Sequence, residues 1–226
     1  MLKLTSLHCV NSLSLYIWYG VSLIKSVICF MFSIISKSSI IINAIIFNQV
    51  MPIQSMKISK NMHDALNNQI VLEANASSNY LAMASWCEVT GYTGGMSFFY
   101  AQSDEERTHM LKIIHYLNNL GSPAIIPATK LPARSFNSLE SILKTALSSE
   151  QTVTSAIHKM VEIAQKDKDY STYAFLEWFV NEQVQEETKF ETLLQKFELI
   201  GRDKIAINEI DKILAASVAD TGAHVV

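Results

Sequence analysis

Within the stretch "SDEERTHML", Glu106 and His109 stand three positions apart. On an α-helix that spacing sets a carboxylate and an imidazole on one face, which is a ligand pair for a metal ion. The same spacing also arises on solvated helix surfaces, so the chemistry depends on whether this face is turned inward. The elements that carry the pair decide that.

Hydrophobic periodicity of the helical kind runs from Ser59 almost to the end of the chain, with no strand-type alternation of any length and no repeat. Ser59 can cap a first helix that runs to about Glu88 and is closed by Gly91. After "TGG" a second helix runs from about Met96 to Leu120, closed by Gly121. Prolines 123, 127 and 132 keep "GSPAIIPATKLPARSFNS" from being helical throughout, and its length suffices to cross a bundle from end to end. Asn137 followed by Glu140 marks the start of a third helix, about Leu139 to Gln165. The polar turn "KDKD" leads to a fourth, about Tyr170 to Ile200, ended by Gly201. A short amphipathic fifth helix follows, near Asp203 to Ala216. With the bundle already complete, it needs a neighbour to cover its apolar side. Two helical hairpins joined by one long crossover predict an all-α four-helix bundle with a short fifth C-terminal helix.

Steps of three and four along each helix trace its inward seam. The first reads Leu66, Ile70, Glu73, Ser77, Tyr80, Ala84, Cys87, and the second Phe99, Gln102, Glu106, His109, Ile113, Tyr116, Leu120. The third reads Leu143, Leu147, Glu150, Thr154, Ile157, Val161, Ala164, and the fourth Leu176, Phe179, Gln183, Glu186, Phe190, Leu193, Phe197. Each seam is apolar except near its middle, where it carries a carboxylate. A bare carboxylate in an apolar core costs several kcal/mol, and four that face one another also repel. Lysine and arginine are absent from all four seams, so bound metal is the natural counter-charge: four carboxylates and one imidazole match two divalent cations. Hard oxygen ligands with one nitrogen suit iron or manganese, although zinc would also bind.

Composition agrees. The 226 residues suffice for one substantial core, and the charge is uneven. No Asp or Glu precedes Asp64, whereas five of the 18 basic residues do (Lys3, Lys25, Lys37, Lys57 and Lys60). Residues 64 to 226 thus hold 13 basic against 21 acidic side chains, a balance of −8 that argues against nucleic acid and favours cations. Cys9, Cys29 and Cys87 are odd in number, far apart and without any CxxC, so neither a disulfide framework nor a thiolate zinc site is indicated, and a reducing compartment fits.

Residues 1 to 55 differ in kind. "IWYGVSLIKSVICFMFSII" approaches the length of a membrane span, yet Lys25 sits in its middle, no arginine supports a transit peptide, and a secretory signal would be shorter. The readings are an anchor, a targeting segment, or translated upstream sequence with the working protein starting at Met51 or Met56. The last is preferred, and it makes residues 56 to 226 the functional domain and the protein cytoplasmic and soluble. A retained leader would make it membrane-associated or exported.

The strings "VLEANASSNYLAMASWC", "AQSDEERTHM", "SSEQT" and "FLEWFVNEQVQEETKF" together resemble bacterial non-haem ferritins, over essentially all the chain beyond the leader. The resemblance implies a ferritin-like di-iron bundle that assembles into a shell of 24 identical subunits and stores iron. It implies that Glu73, Glu106 and His109 form a first iron site, that Glu106 bridges to a second completed by Glu150 and Glu186, that Gln183 at the metal site helps to position dioxygen or its products, and that Tyr80 stands beside the pair. Two irons per subunit follow, with Fe(II) oxidised by dioxygen or peroxide and Fe(III) deposited as mineral. Glu105 and Glu182 match ligands of a third, outer iron site, where Gln185 replaces a usual glutamate. The fourth helix lacks a second ExxH, which counts against bacterioferritin and rubrerythrin. Two alternatives remain: a di-iron oxidase or oxygenase acting on an organic substrate, and a non-catalytic shell subunit. His63, His115 and His158 lie off the seams and are expected to be solvated.

Overall fold

The computed structural model describes residues 58 to 221, so the readings of the N-terminal leader fall outside the described residues. Five helices follow one another: α1 (Lys60–Thr90), α2 (Thr93–Asn119), α3 (Leu139–Asp167), α4 (Tyr170–Ile200) and α5 (Lys204–Thr221). No strand occurs among the described residues, and none of their helices is long and apolar enough to cross a membrane. The all-α bundle expected from the two hairpins and the crossover is the observed fold.

Local chemistry sets the helix ends. Ser59 caps α1 by accepting from the Met62 amide at 3.1 Å, and Gly91 closes it at φ +90°, a left-handed conformation that glycine adopts without a Cβ penalty. α2 begins at Thr93, before the expected Met96. The "TGG" read as a turn is helical because the Asp211 carboxylate, from α5, accepts from the Gly94 and Gly95 amides at 3.1 and 2.8 Å. The N-cap of α3 is Ser138 rather than Asn137, and its reciprocal partner is Ser141 rather than Glu140. Asp169 caps α4 through the Thr172 amide at 3.0 Å.

α1 pairs with α2, α3 with α4, and α1 also lies against α3. Ser77 and Ser103 let the first pair approach closely, each hydroxyl donating to the other's backbone carbonyl at 2.8 Å. The core is divided in two. One apolar cluster contains Leu66, Ile70, Ile113, Ile157 and Phe179, the other Tyr80, Phe99, Leu143, Phe190 and Phe197. Full burial of such side chains contributes about 1.5–3 kcal/mol each. The mid-seam polar residues occupy the level between the two clusters.

α5 is covered by its own chain. Ala206, Ile210 and Leu214 are buried, and the helix packs on α2 and α4, which corrects the expectation that a neighbour must supply the cover. The approach is so close that a Cβ on Gly94 would stand 1.7 Å from the Asp211 carbonyl oxygen. The crossover is tied along α1 by two asparagines: Asn67 Oδ1 accepts from the Ile125 amide at 2.7 Å and Asn75 Oδ1 from the Lys130 amide at 2.8 Å. His63 is half-buried, its ring 3.3 Å from the Pro123 carbonyl, while His115 and His158 are exposed as expected.

Candidate metal centre

Glu73, Glu106, His109, Glu150, Gln183, Glu186 and Tyr80 are all buried, carried by α1 to α4, and Tyr80 reaches the carboxylates from the apolar cluster beside them through its hydroxyl. The ligand atoms of Glu73, Glu106 and His109 lie within 4.8 Å of one another, and His109 Nδ1 is 3.5 Å from Glu106 Oε2. Gln69, one turn before Glu73, donates to Glu73 Oε1 at 2.8 Å. The other Glu73 oxygen and both oxygens of Glu106 are buried and receive no hydrogen bond. Buried acceptors of this kind carry a desolvation cost of about 1–3 kcal/mol, more when charged. A proton on one of the facing carboxyls, a water, or a cation between them relieves it. The donor set of hard carboxylate oxygens and one imidazole therefore fits a divalent cation such as Fe(II).

Glu150 and Glu186 are placed differently. Tyr80 donates its phenol hydrogen to Glu150 Oε1, and Gln183 Nε2 donates to Glu150 Oε2 at 3.2 Å and to Thr154 Oγ1 at 3.3 Å. Glu186 Oε1 is 2.7 Å from the Lys189 ammonium. Glu150 and Glu186 stay outside the tight Glu73–Glu106–His109 group, but their charges are close enough to act on Glu106.

Burial is the main reason that every carboxyl here is pushed above its usual range. Glu73 and Glu106 rise furthest, with the charge of Glu106 acting on Glu73 and that of Glu150 on Glu106. Glu150 rises against the opposing hydrogen bonds of Tyr80 and Gln183. Glu186 is pushed up to about 7 by burial, against the pull of Lys189. The Tyr80 phenol is also held well above its usual value, first by burial and then by Glu150.

Lys189 went unnoticed in the sequence because it is off the seam. Its stem folds back from α4 so that the ammonium also meets Gln102 Oε1 at 3.0 Å and Glu105 Oε2 at 3.4 Å, so a lysine borders the centre although the seams themselves carry none. Gln102 in turn donates to Glu105 Oε2 at 2.9 Å. Trp178 was also missed. Its ring meets His109 edge to face at 5.4 Å between centroids, and the Lys112 ammonium lies 3.8 Å over it. Both residues use long side chains to reach places their backbone positions do not mark. Of the outer-site residues, Glu105 and Glu182 come within 4.8 Å of His109 and of each other, and Gln185 is exposed.

Comparisons with known proteins agree with the fold. The ferritin-like domain family matches residues 63–200. The bacterial non-heme ferritin of Staphylococcus aureus (strain USA300) is 42% identical over 163 residues, which cover 72% of this chain and 98% of that protein. A probable bacterial non-heme ferritin-like protein of Haemophilus influenzae is 38% identical, over 70% of this chain and 95% of its own length. Among solved structures, an open-pore ferritin from the archaeon Archaeoglobus fulgidus superposes with a TM-score of 0.68 at 35% identity, covering 70% of this chain and 98% of that one. The sequence motifs, the bundle and these relatives place the chain in the ferritin family.

Proposed function

We propose that the chain is an iron-storage ferroxidase, and that the observation carrying this is the set of unpartnered buried oxygens on Glu73 and Glu106 beside His109. On this reading Fe(II) is the substrate. Glu73, Glu106 and His109 bind one Fe(II); Glu106, Glu150 and Glu186 bind a second. Each Fe(II) gives up one electron, and dioxygen takes both together with two protons to leave as hydrogen peroxide. The protein's part is to hold the two ions a few Å apart in a water-poor site and to orient the acceptors. Gln183 and Tyr80 act by fixing Glu150. Fe(III) then moves into the cavity of a homo-oligomeric shell, of 24 subunits by family resemblance, and hydrolyses to mineral. On this reading the protein works in the cytoplasm. An organic-substrate oxidase is less well supported, because α4 lacks a second ExxH, reading Gln183, Val184, Gln185, Glu186.

Mixing iron-free protein with Fe(II) in air and following Fe(III) absorbance tests the reading. Glu106→Ala is expected to slow oxidation by more than about 100-fold, beyond the loss typical of a residue that only orients a ligand. His109→Ala should act in the same direction. Oxidation by Glu106→Ala at the wild-type rate would refute the assignment.

A further inference from the structure

The outer position beside the pair is where the family resemblance and the residues present part company. Glu105 and Glu182 approach His109 as ligands of a third cation would, but the space next to them already holds a positive charge. The Lys189 ammonium is 2.7 Å from Glu186, 3.4 Å from Glu105 and 3.0 Å from Gln102 Oε1, and Gln102 Nε2 occupies the same Glu105 oxygen at 2.9 Å. Gln185, in the place of a further carboxylate, is exposed and uncharged.

We propose that Lys189 is a built-in cation that takes the place of the third metal ion, so that this chain binds two divalent cations per subunit at the centre and not three. The inference rests on the proposed paired site. Charge supports it. Two divalent cations and one ammonium bring five positive charges to six carboxylates, Glu73, Glu105, Glu106, Glu150, Glu182 and Glu186. A third divalent cation would bring seven and place two cations in contact with Glu105. Geometry supports it as well: the one oxygen of Glu105 that faces the ammonium is already bonded twice, and Lys189 is held from both sides by groups on α2 and α4. The lysine is a positioning residue. It fixes Glu186 for the second ion and closes the outer position.

The test is anaerobic titration of the full chain, iron-free, with Co(II), read as ions bound per subunit by calorimetry and by the cobalt absorption bands. Wild type is expected to bind two ions that Glu106→Ala removes. Lys189→Met is expected to bind about one more, and Glu105→Gln added to it should remove that ion again. Lys189→Arg, which keeps the charge, should bind as wild type does. Folding of each variant is checked by far-UV circular dichroism, and the arginine variant carries the test if the methionine variant does not fold: a third ion in Lys189→Arg or in wild type, abolished by Glu105→Gln, overturns the proposal. Equal stoichiometry in folded Lys189→Met and wild type also overturns it while leaving the paired site intact. Ions that persist in Glu106→Ala would refute the paired site itself and this inference with it.

Discussion

Glu73 and Glu106 on one side of the centre, and Glu150 and Glu186 on the other, are equally buried yet differently satisfied. The first two keep three oxygens without a donor. The second two are held by a phenol, an amide and an ammonium. Burial alone therefore does not define a metal site; what matters is how much of the desolvation cost the protein has already offset. The first side is left in need of a cation, and the second, already partly satisfied by its fixing partners, gains less from one. An ion should bind the Glu73–Glu106–His109 side more tightly and the Glu150–Glu186 side more weakly.

The largest expected effect tests that difference directly. Glu73→Gln should weaken the tighter of two Co(II) binding steps by about 100-fold or more, whereas Glu150→Gln should leave it within about tenfold and weaken the second step, following the usual scale for metal-site changes. Calorimetric titration separates the steps. Equal losses in both steps for either variant would mean that the two sides act as one unit.

A smaller effect concerns pH in the iron-free protein. Glu186 is raised in the folded state from 4.5 to about 7, so the folded chain holds this proton more tightly than the unfolded chain does. Its favourable contribution is fully present below pH 4.5 and is lost as pH rises through about 7. At about 1.4 kcal/mol per unit, wild type should lose about 3 kcal/mol relative to Glu186→Gln over that window. Denaturant midpoints of the two proteins at several pH values provide the measurement. Added Co(II) should shrink the difference, since the ion replaces the proton.

The smallest effect belongs to Tyr80. Tyr80→Phe removes the donor at Glu150 Oε1 and should destabilise the iron-free protein by about 1–3 kcal/mol, the cost of a buried acceptor left alone. The same change made in Glu150→Gln should cost less, because a neutral amide oxygen needs the phenol less than a carboxylate does. A full-size loss in both backgrounds would show that the ring packing with Phe99 and Phe190, and not the hydroxyl, is what matters.

The sequence made the seams legible because burial repeats at helical spacing, and Glu73, Glu106, Glu150 and Glu186 are buried where their seams place them. It did not show Lys189, since a seam records the direction of Cβ and a four-carbon stem can turn back across it. Nor did it show that α2 starts at Thr93. The group that caps that turn, Asp211, lies 117 residues further along the chain than Gly94, and no local rule reaches so far. Ser138 and Ser141 were hidden for a simpler reason: Asn137 with Glu140 fits the same pattern one residue earlier.

The distance between Gly94 and Asp211 also has a meaning in time. A ribosome adding about 5–20 residues per second makes Asp211 on the order of ten seconds after Gly94. Throughout that interval the opening turn of α2 exists with its first amides open to water, although the helices of the first hairpin are already made. The turn gains its acceptor only when Asp211 has been added. A product released before Asp211 would carry the carboxylates of all four long helices but would leave the Gly94 and Gly95 amides without this acceptor.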